Sequence, residues 1–389
     1  MKSCLLALPW HLCRTGGVNE VVKSLLFRLK ESRKYDPVLL VTSNDRDEAW
    51  DASQVFPTVY EMLPGPFEGR SRLHALGSFL YRLPARMLRL RRLLLQKQIQ
   101  LVNPHFPHPG LLPFVWLRSL RLWDGAIVLS FHLGDAHIAD STRGVERKLW
   151  QYLLGSADQI ICPSDDLYQP LLRVAPGCRE RLATINNGVD FELCSSRPVE
   201  PHRFPSELDG RPVILSVGAF EERKGHQTLM HALPQVRQRV VDAGLLVLGT
   251  GRPYLQELEK LRSELGLEGS VFFLQDIPHD KLPSYLSRAR VFALATRSET
   301  FCLAILEAGA AGLPVVSTRA PGVIEVLKDG ITGQLVEIGD VAGFAKAILR
   351  VLENPSEAAA VANNFRAEIK DHLTWDHHFE NYRRIYDRF

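Results

Sequence analysis

Residues 298–316 read SETFCLAILEAGAAGLPVV, an apolar run that carries two acids, Glu299 and Glu307, eight positions apart. The run predicts a helix that begins just after Glu299 and a buried strand that begins at Val315. Eight residues at about 100° each make two turns plus about 80°, so both carboxylates can reach one cleft at the helix N-terminus. Such an N-terminus offers N–H groups to an anion, and carboxylates accept hydrogen bonds from hydroxyls. An anion beside hydroxyl groups describes a nucleotide sugar.

The size and composition of the chain indicate a globular protein of two domains. Its 389 residues are too many for one ordinary core. Hydrophobic residues make up 46% of the chain and charged residues 23%, which argues against disorder. The net charge is only +3, which excludes a strongly basic nucleic-acid-binding protein as the leading interpretation.

The cysteines and the apolar segments point to a cytoplasmic protein. The six cysteines show no C-x-x-C spacing, and the chain opens without a convincing signal peptide. The apolar residues 4–10 are far fewer than the roughly 20 that cross a bilayer, and no other segment resembles a membrane span.

Short apolar runs alternate with amphipathic stretches, which is typical of parallel βαβ units. In the first half the runs are residues 4–8, 38–41, 101–102, 126–131 and 159–162. In the second half they are residues 213–217, 244–248, 271–274, 291–294 and 315–316. The pattern predicts an α/β fold with two doubly wound sheets, one in each half.

A polar, proline-rich segment at residues 195–205 has no apolar period, and we interpret it as a linker. We therefore place one domain at residues 1–194 and a second at residues 195–372. Residues 373–389 carry aromatic side chains at roughly helical spacing, which predicts a last helix that packs an aromatic stripe.

Two motifs of the first half follow predicted strands, at the sheet edge where open α/β folds bind ligands. Gly16 and Gly17 would let the backbone approach a ligand closely, although a plain tight turn also uses such residues. His132 could meet a sugar hydroxyl or a proton in transfer, or it could be a structural histidine.

In the second half, the strand at residues 213–217 leads into a loop that carries two adjacent cations, Arg223 and Lys224. These side chains could neutralise a diphosphate and the charge that develops as it leaves. Surface cations that are simply solvated are the alternative.

Two other patterns suggest metal ligands, and we favour a simpler explanation for each. Asp45 and Asp47 bracket one residue and could hold a metal against a diphosphate, but their very polar surroundings fit a solvated loop better. His105 and His108 have no acidic or cysteine partner nearby in the sequence. We expect no metal site.

A basic amphipathic segment lies at residues 86–92, where arginines alternate with apolar residues. It could contact an anionic membrane surface. A solvated helix face explains it equally simply, and we prefer that interpretation.

Together these residues resemble the retaining GT-B glycosyltransferases of family 4. Residues 298–316 are the most specific part, because they closely match the E-x-F-G-x-x-x-x-E and A-A-G-x-P-V-V pattern of that family. Residues 187–190 (NGVD) and 223–225 (RKG) add to the match. The resemblance spans nearly the whole chain and is weakest in the first domain, which varies with the acceptor.

The resemblance implies two Rossmann-like domains that face a central cleft, with the C-terminal helix crossing back onto the first domain. It also implies transfer from a nucleotide sugar to a saccharide or lipid-linked acceptor, with no metal, no cofactor and no nucleic acid. Contact with the inner face of a membrane is compatible with such an acceptor.

The resemblance further implies roles for individual residues. Arg223 and Lys224 would hold the diphosphate, Glu307 the ribose hydroxyls and Glu299 the transferred sugar. His132 would lie beside the reacting carbon. The other expected donor-binding residues are Gly16, Gly17, Gly218, Ile277, Phe301, Cys302 and Leu303.

The sequence departs from the family pattern at two positions. Ala219 stands where many relatives have an arginine, and we expect Arg223 to supply that charge. Cys302 stands where they have a glycine, so it keeps its N–H group but would add a side chain near the donor.

Two other functions are compatible with the same motifs. A sugar-nucleotide-binding module without transfer activity would keep Glu307 and lose the acceptor side, but His132 and both glutamates argue against it. A nucleotide-sugar epimerase of the same fold would interconvert donors without an acceptor.

Overall fold

The computed structural model describes residues 1–12, 16–42, 56–68, 71–132, 134–196 and 203–389. The chain forms two compact α/β units. The first comprises Met1–Asn186 and Asp376–Phe389, and the second comprises Asn187–Trp375.

The first unit is built on a parallel sheet. Its strands are β1 Lys2–Leu8, β2 Tyr35–Val41, β3 Thr58–Tyr60, β4 Ile99–Pro104, β5 Ala126–Ser130, β6 Gln159–Cys162 and β7 Leu182–Thr184. The helices of this unit that precede residue 187 are α1 Gly17–Glu31, α2 Arg72–Gln96, α3 Leu112–Ser119, α4 Gly134–Ser141, α5 Gly144–Ser156 and α6 Tyr168–Val174. The strand order is β3-β2-β1-β4-β5-β6-β7, so the order reverses between β1 and β4.

The second unit repeats this architecture. Its helices are α7 Phe191–Ser195, α8 His226–Arg237, α9 Pro253–Glu264, α10 Leu282–Leu286, α11 Leu303–Ala310, α12 Pro321–Ile324, α13 Val341–Glu353 and α14 Pro355–His372. Its strands are β8 Val213–Val217, β9 Gly244–Gly249, β10 Val271–Gln275, β11 Val291–Leu294, β12 Val315–Thr318 and β13 Gln334–Val336. The parallel order β10-β9-β8-β11-β12-β13 reverses between β8 and β11, and ligands bind at such reversal points in open α/β sheets.

Both faces of each sheet are buried, which explains the unbroken apolar runs in the sequence. In β8, Val213 and Leu215 join one hydrophobic cluster, and Ile214 between them joins another. In β1, Leu5 and Leu6 separate in the same way. Alternate side chains of a strand point to opposite faces, so each strand contributes to two cores. The predicted pair of doubly wound sheets is confirmed.

The last helix, α15 Trp375–Tyr386, packs on the first sheet. Tyr382, Ile385 and Tyr386 are buried in one cluster with Leu6 of β1, and the Tyr386 hydroxyl donates to Asn103 Oδ1 at 2.6 Å. The aromatic stripe predicted for this helix is therefore present, and it joins residues 376–389 to the first unit.

The division between the units differs from the predicted limits of 194 and 372. It falls after Asn186 and again after Trp375. Val189 belongs to a hydrophobic cluster of the second unit, and its N–H donates to Leu373 O at 3.0 Å. A Cβ on Gly188 would lie 2.4 Å from the Thr374 carbonyl carbon, so this glycine permits the contact. Residues 187–196 thus pack against residues that are distant in the sequence. Local composition does not reveal such contacts.

Candidate functional site

The loop after β8 brings two cations to the reversal point of the second sheet. A short 3₁₀ turn, Glu222–Lys224, ends at Gly225, which has a left-handed φ of 70°. A Cβ at Gly225 would lie 1.9 Å from the carbonyl oxygen of Ala295, the residue just after β11. Only glycine lets the two backbones approach so closely, and the turn consequently presents Lys224 to the loop after β11.

Lys224 forms an ion pair with Glu299, the first acid of the 298–316 run. Lys224 Nζ lies 2.5 Å from Glu299 Oε1, and the two side chains are only 13% and 9% exposed. The buried Thr296 hydroxyl donates to the same oxygen at 3.1 Å. The Glu299 carboxylate therefore has one cationic and one neutral partner inside the protein.

The backbones of the two loops are bonded to each other next to this ion pair. Arg297 N donates to Arg223 O at 2.7 Å, which joins the two loops. Gly322 N, in α12, donates to Glu299 O at 3.1 Å and joins the loop after β11 to that helix. The guanidinium of Arg223 is half-exposed and donates from Nε to Glu221 at 2.6 Å. Lys224 thus lies inside the site, and Arg223 lies at its surface.

The helix after Glu299 begins later than the sequence predicted. Cys302 occupies the N-cap position and α11 starts at Leu303, so Glu299 lies in the preceding loop and the two-turn spacing argument is wrong for it. The hydrogen bonds from Thr296 and Gly322 set its position instead. No side chain caps α11.

Glu307 lies on α11 and contacts a histidine that sequence reasoning missed. His279 Nε2 is 2.5 Å from Glu307 Oε1, and His279 belongs to the short turn His279–Lys281 that follows Ile277. The two residues are 28 positions apart, and no local pattern links them. A carboxylate and an imidazole in contact offer both an acceptor and a donor to a hydroxylated ligand.

Cys302 lies close to both acids, although its side chain faces the core. It belongs with Phe301 to a hydrophobic cluster. Burial, followed by the negative charge of Glu299, raises the pKa of the Cys302 thiol to about 12, and Glu307 adds to this rise. The thiol is therefore protonated and packed inside the protein. The expected effect of this side chain near the donor stays a prediction.

The other predicted donor-binding residues of the second unit lie beside Lys224 or pack against the hydrophobic cluster that contains Phe301. Gly218 follows β8, and a Cβ there would lie 3.3 Å from Cδ of Lys224, so the glycine leaves room for the lysine stem. Ile277 and Leu303 are partly buried and pack against the same hydrophobic cluster as Phe301.

In the first unit, the glycine pair lies where β1 gives way to α1. Gly16 is the N-cap residue and Gly17 the first helical residue, and no side chain caps this helix. Residues 13–15 lie outside the described part of the chain. Asn19 secures the loop before them, because its amide donates to the carbonyls of His11 and Leu12, both at 3.3 Å.

His132 follows β5 at the same edge of the first sheet, and its surroundings are buried. The backbone N–H of His132 donates to both carboxylate oxygens of Asp135 at 3.0 Å. Its ring nitrogen Nε2 lies 3.2 Å from His105 Nδ1. Burial lowers the pKa of His132 to about 4, so the imidazole is neutral at pH 7. Burial also raises the pKa of Asp135 to about 7, against the opposing effect of its backbone hydrogen bonds.

The possible metal patterns give no metal cluster in the structure as described. Asp45 and Asp47 lie outside the described residues. Within those residues, no three His, Cys, Asp or Glu side chains are grouped so as to hold a metal ion. His105 contacts His132 instead, and His108 Nδ1 accepts from Gly110 N at 3.2 Å.

Comparisons with known proteins assign both halves of the chain. The model of glycosyl transferases group 1 matches residues 199–368, and that of glycosyltransferase family 4 matches residues 15–193. The phosphatidyl-myo-inositol mannosyltransferase of Mycobacterium leprae is 30% identical over 280 residues, which are 70% of this chain and 69% of that protein. The chain belongs to glycosyltransferase family 4.

Other family 4 relatives match over less of their length. A GDP-mannose-dependent α-(1-6)-phosphatidylinositol monomannoside mannosyltransferase of Mycolicibacterium smegmatis is 37% identical over 197 residues, or 48% of this chain. The chain spans 51% of that relative. Among solved structures, HepE of Anabaena in complex with UDP and glucose superposes with a TM-score of 0.77 at 17% identity, and the match covers all of both chains. The fold of the family 4 chain is thus GT-B.

Proposed function

We propose that this family 4 member is a retaining glycosyltransferase that moves a sugar from a nucleotide diphosphate sugar to a hydroxyl of a saccharide or lipid-linked acceptor, without a metal. The observation that carries the proposal is the buried Lys224–Glu299 ion pair at the reversal point of the second sheet. The names of the relatives support it, because one is described as GDP-mannose-dependent and a fold neighbour was solved with UDP.

In this proposal the ion pair exchanges partners when the donor binds. Lys224 turns to the diphosphate, together with Arg223, and Glu299 accepts hydrogen bonds from hydroxyls of the transferred sugar. Glu307 and His279 bind the ribose hydroxyls. As the bond from the sugar to the diphosphate breaks, negative charge grows on the leaving group, and the two cations stabilise it more than they stabilise the ground state.

A thermal-shift screen over nucleotide sugars tests the donor part of the proposal. A true donor present at about 100 times its Kd stabilises the native state by about 2.7 kcal/mol, so the Tm rises. Glu307→Gln keeps the shape of the side chain and removes its charge, and we expect a smaller rise at the same ligand concentration. If no nucleotide sugar or nucleoside diphosphate raises the Tm, the proposal is wrong.

Product analysis separates transfer from the alternative functions. With donor and acceptor together, a transferase releases nucleoside diphosphate and forms a glycosylated product. An epimerase would instead convert the donor without any acceptor, and a binding module would do neither.

We further propose that α2 contacts a membrane surface. The helix carries six arginines and no acidic residue. Five large apolar side chains on it are 50% to 87% exposed and fall into two rows with seven-residue spacing, and they are Leu73, Leu80, Tyr81, Leu88 and Leu95. Seven residues make nearly two turns, so these rows form one face. Apolar side chains flanked by arginines suit an anionic lipid surface.

Two arginines of the basic segment at residues 86–92 have contacts within the protein. Arg86 is buried and stacks over Phe79 at 5.5 Å, and burial lowers the pKa of its guanidinium. Arg89 pairs with Glu61 at 2.8 Å. In the described part of the chain no helix is long and apolar enough to cross a membrane.

Vesicle sedimentation tests the membrane contact. We expect Tyr81→Ser with Leu88→Ser to weaken binding to anionic vesicles by about 30- to 1000-fold, because each side chain contributes about 1 to 2 kcal/mol on burial. Added salt should weaken binding of the wild type as well. Val241→Ser with Ile331→Ser is the matched control, because it removes two exposed apolar side chains of the second unit. Equal binding by both double variants would contradict the proposal.

A further inference from the structure

Two buried histidines contact each other at the carboxyl edge of the first sheet. His105 directly follows β4 and His132 follows β5, and their rings stack with centroids 5.4 Å apart. His105 also stacks on Tyr382 of α15 at 6.2 Å. Backbone hydrogen bonds fix both residues, since His105 N donates to Ala7 O at 2.8 Å and His132 N donates to Asp135. The relative position of the two rings is therefore set by the fold.

The contact between His105 Nδ1 and His132 Nε2 requires one hydrogen between the two nitrogens. Burial lowers the pKa of both imidazoles, so each is neutral at pH 7 and carries one N–H. Either His105 donates, which leaves His132 with its hydrogen on Nδ1, or His132 donates, which leaves its Nδ1 as an acceptor. The two arrangements give His132 opposite capacities toward a ligand.

The second ring nitrogen of His105, Nε2, distinguishes these two hydrogen-bond arrangements. His105 Nε2 is buried and has no hydrogen-bond partner among the described residues. If His132 donated, this atom would be a buried N–H without an acceptor, whereas if His105 donates it is only an unshared lone pair. Orphaned buried N–H groups are rarer in proteins than unsatisfied acceptors, which favours donation by His105.

We propose that His105 is a positioning residue that fixes His132 in the Nδ1–H tautomer, so that His132 donates a hydrogen bond to an oxygen of the sugar substrate and does not act as a base. The role of His132 toward substrate rests on the proposed function. The tautomer itself rests only on the first unit. The inference narrows the sequence-based expectation for His132, since a proton in transfer is no longer among its roles.

Nitrogen NMR on the full chain labelled with [¹⁵N]histidine measures the tautomer directly. The His132 signals are assigned by their loss in His132→Asn. We expect Nδ1 to be protonated and Nε2 to be unprotonated in the free wild-type protein. Protonation on Nε2 would overturn the proposal, and no substrate is needed to see it.

Two substitutions at His105 test the consequence for turnover. His105→Leu removes the donor, and we expect kcat to fall by about 10- to 100-fold, as when the group that orients a metal-bound imidazole is removed. We expect the loss to fall on kcat more than on the donor KM, as it does for a hydrogen bond that strengthens in the transition state. His105→Asn keeps an N–H near the Nδ1 position and should recover most of kcat together with the Nδ1–H tautomer. Equal kcat values for the two variants would contradict the positioning role.

These measurements separate this inference from the proposed function. If the wild-type protein transfers sugar from no nucleotide sugar, the proposed function fails while the NMR result still decides the tautomer. If transfer occurs but the NMR shows Nε2–H on His132, only the positioning role fails.

Discussion

Replacing Lys224 by methionine is expected to lower kcat by about 10²- to 10³-fold, the loss typical of removing one group that stabilises charge in the transition state. Lys224 is the buried cation at the reversal point of the second sheet, and methionine keeps most of its apolar stem beside Gly218. Turnover is measured at saturating donor, so that weaker binding does not hide the effect. An unchanged kcat would exclude the role of Lys224 in departure of the diphosphate.

The same substitution has a structural cost that must be separated from its catalytic one. Without Lys224, the buried carboxylate of Glu299 keeps, among the described residues, the neutral partner Thr296, and breaking a buried ion pair in this way costs about 3 to 5 kcal/mol. The double variant Lys224→Met with Glu299→Gln removes both charges. We expect urea unfolding to show that it recovers most of the lost stability, whereas kcat stays low. Recovery of kcat in the double variant would mean that the ion pair is only structural.

The sequence predicted the long strands because both faces of the parallel sheets are buried. Every predicted run overlaps an observed strand, from Lys2–Leu8 in the first unit to Val315–Thr318 in the second, and only the run 126–131 extends beyond its strand, by one residue. The strands β3, β7 and β13 were not predicted. Each has only three residues and lies at the edge of its sheet, so it carries too short an apolar run to stand out.

The sequence predicted the candidate site only to the extent that it predicted where the strands end. Lys224 follows β8 and was identified from that placement. Glu299 follows β11, but it was identified from its spacing to Glu307. The contact of Lys224 with Glu299 depends on β8 and β11 being neighbours, although β9 and β10 lie between them in the sequence. His279 was missed for the same reason, because its partner Glu307 lies on α11, 28 positions away. Thr296 was missed although it lies in the same loop as Glu299, because no pattern of the sequence marks its hydroxyl as a partner of that carboxylate. The periodicity of a segment defines its faces but not which segment packs beside it.

Glu299 and Glu307 show the limit of predicting positions from helical spacing. Both acids do affect the pKa of Cys302, so they lie near the start of α11. Only Glu307 is on the helix, however, because the chain stays non-helical through Cys302. The close approach of Gly322, where a Cβ would lie 2.4 Å from Glu299 O, holds this loop in place. That constraint comes from a residue 23 positions away and is invisible to local pattern.

Gly225→Ala is expected to reduce both stability and turnover strongly. Alanine in the left-handed region costs about 1 to 2 kcal/mol by itself. At Gly225 the new Cβ would also lie 1.9 Å from Ala295 O, so the backbone must move apart where the loops after β8 and β11 meet. We expect a total loss of about 3 kcal/mol or more in the free energy of unfolding, as for other severe backbone clashes. The same movement takes Lys224 away from Glu299, so kcat should fall in the protein that remains folded.

Gly266→Ala isolates the contribution of the close approach. Gly266 has a similar φ of 62°, but a Cβ there would meet no heavy atom within 4 Å. This variant should lose only the conformational cost of about 1 to 2 kcal/mol and keep its kcat. Urea unfolding of both variants, with kcat measured at a temperature where each is folded, gives the comparison. A larger loss in the free energy of unfolding at Gly225 would give the cost of separating the Arg223–Lys224 loop from the end of β11. Equal losses would show that the loop can move without such a cost.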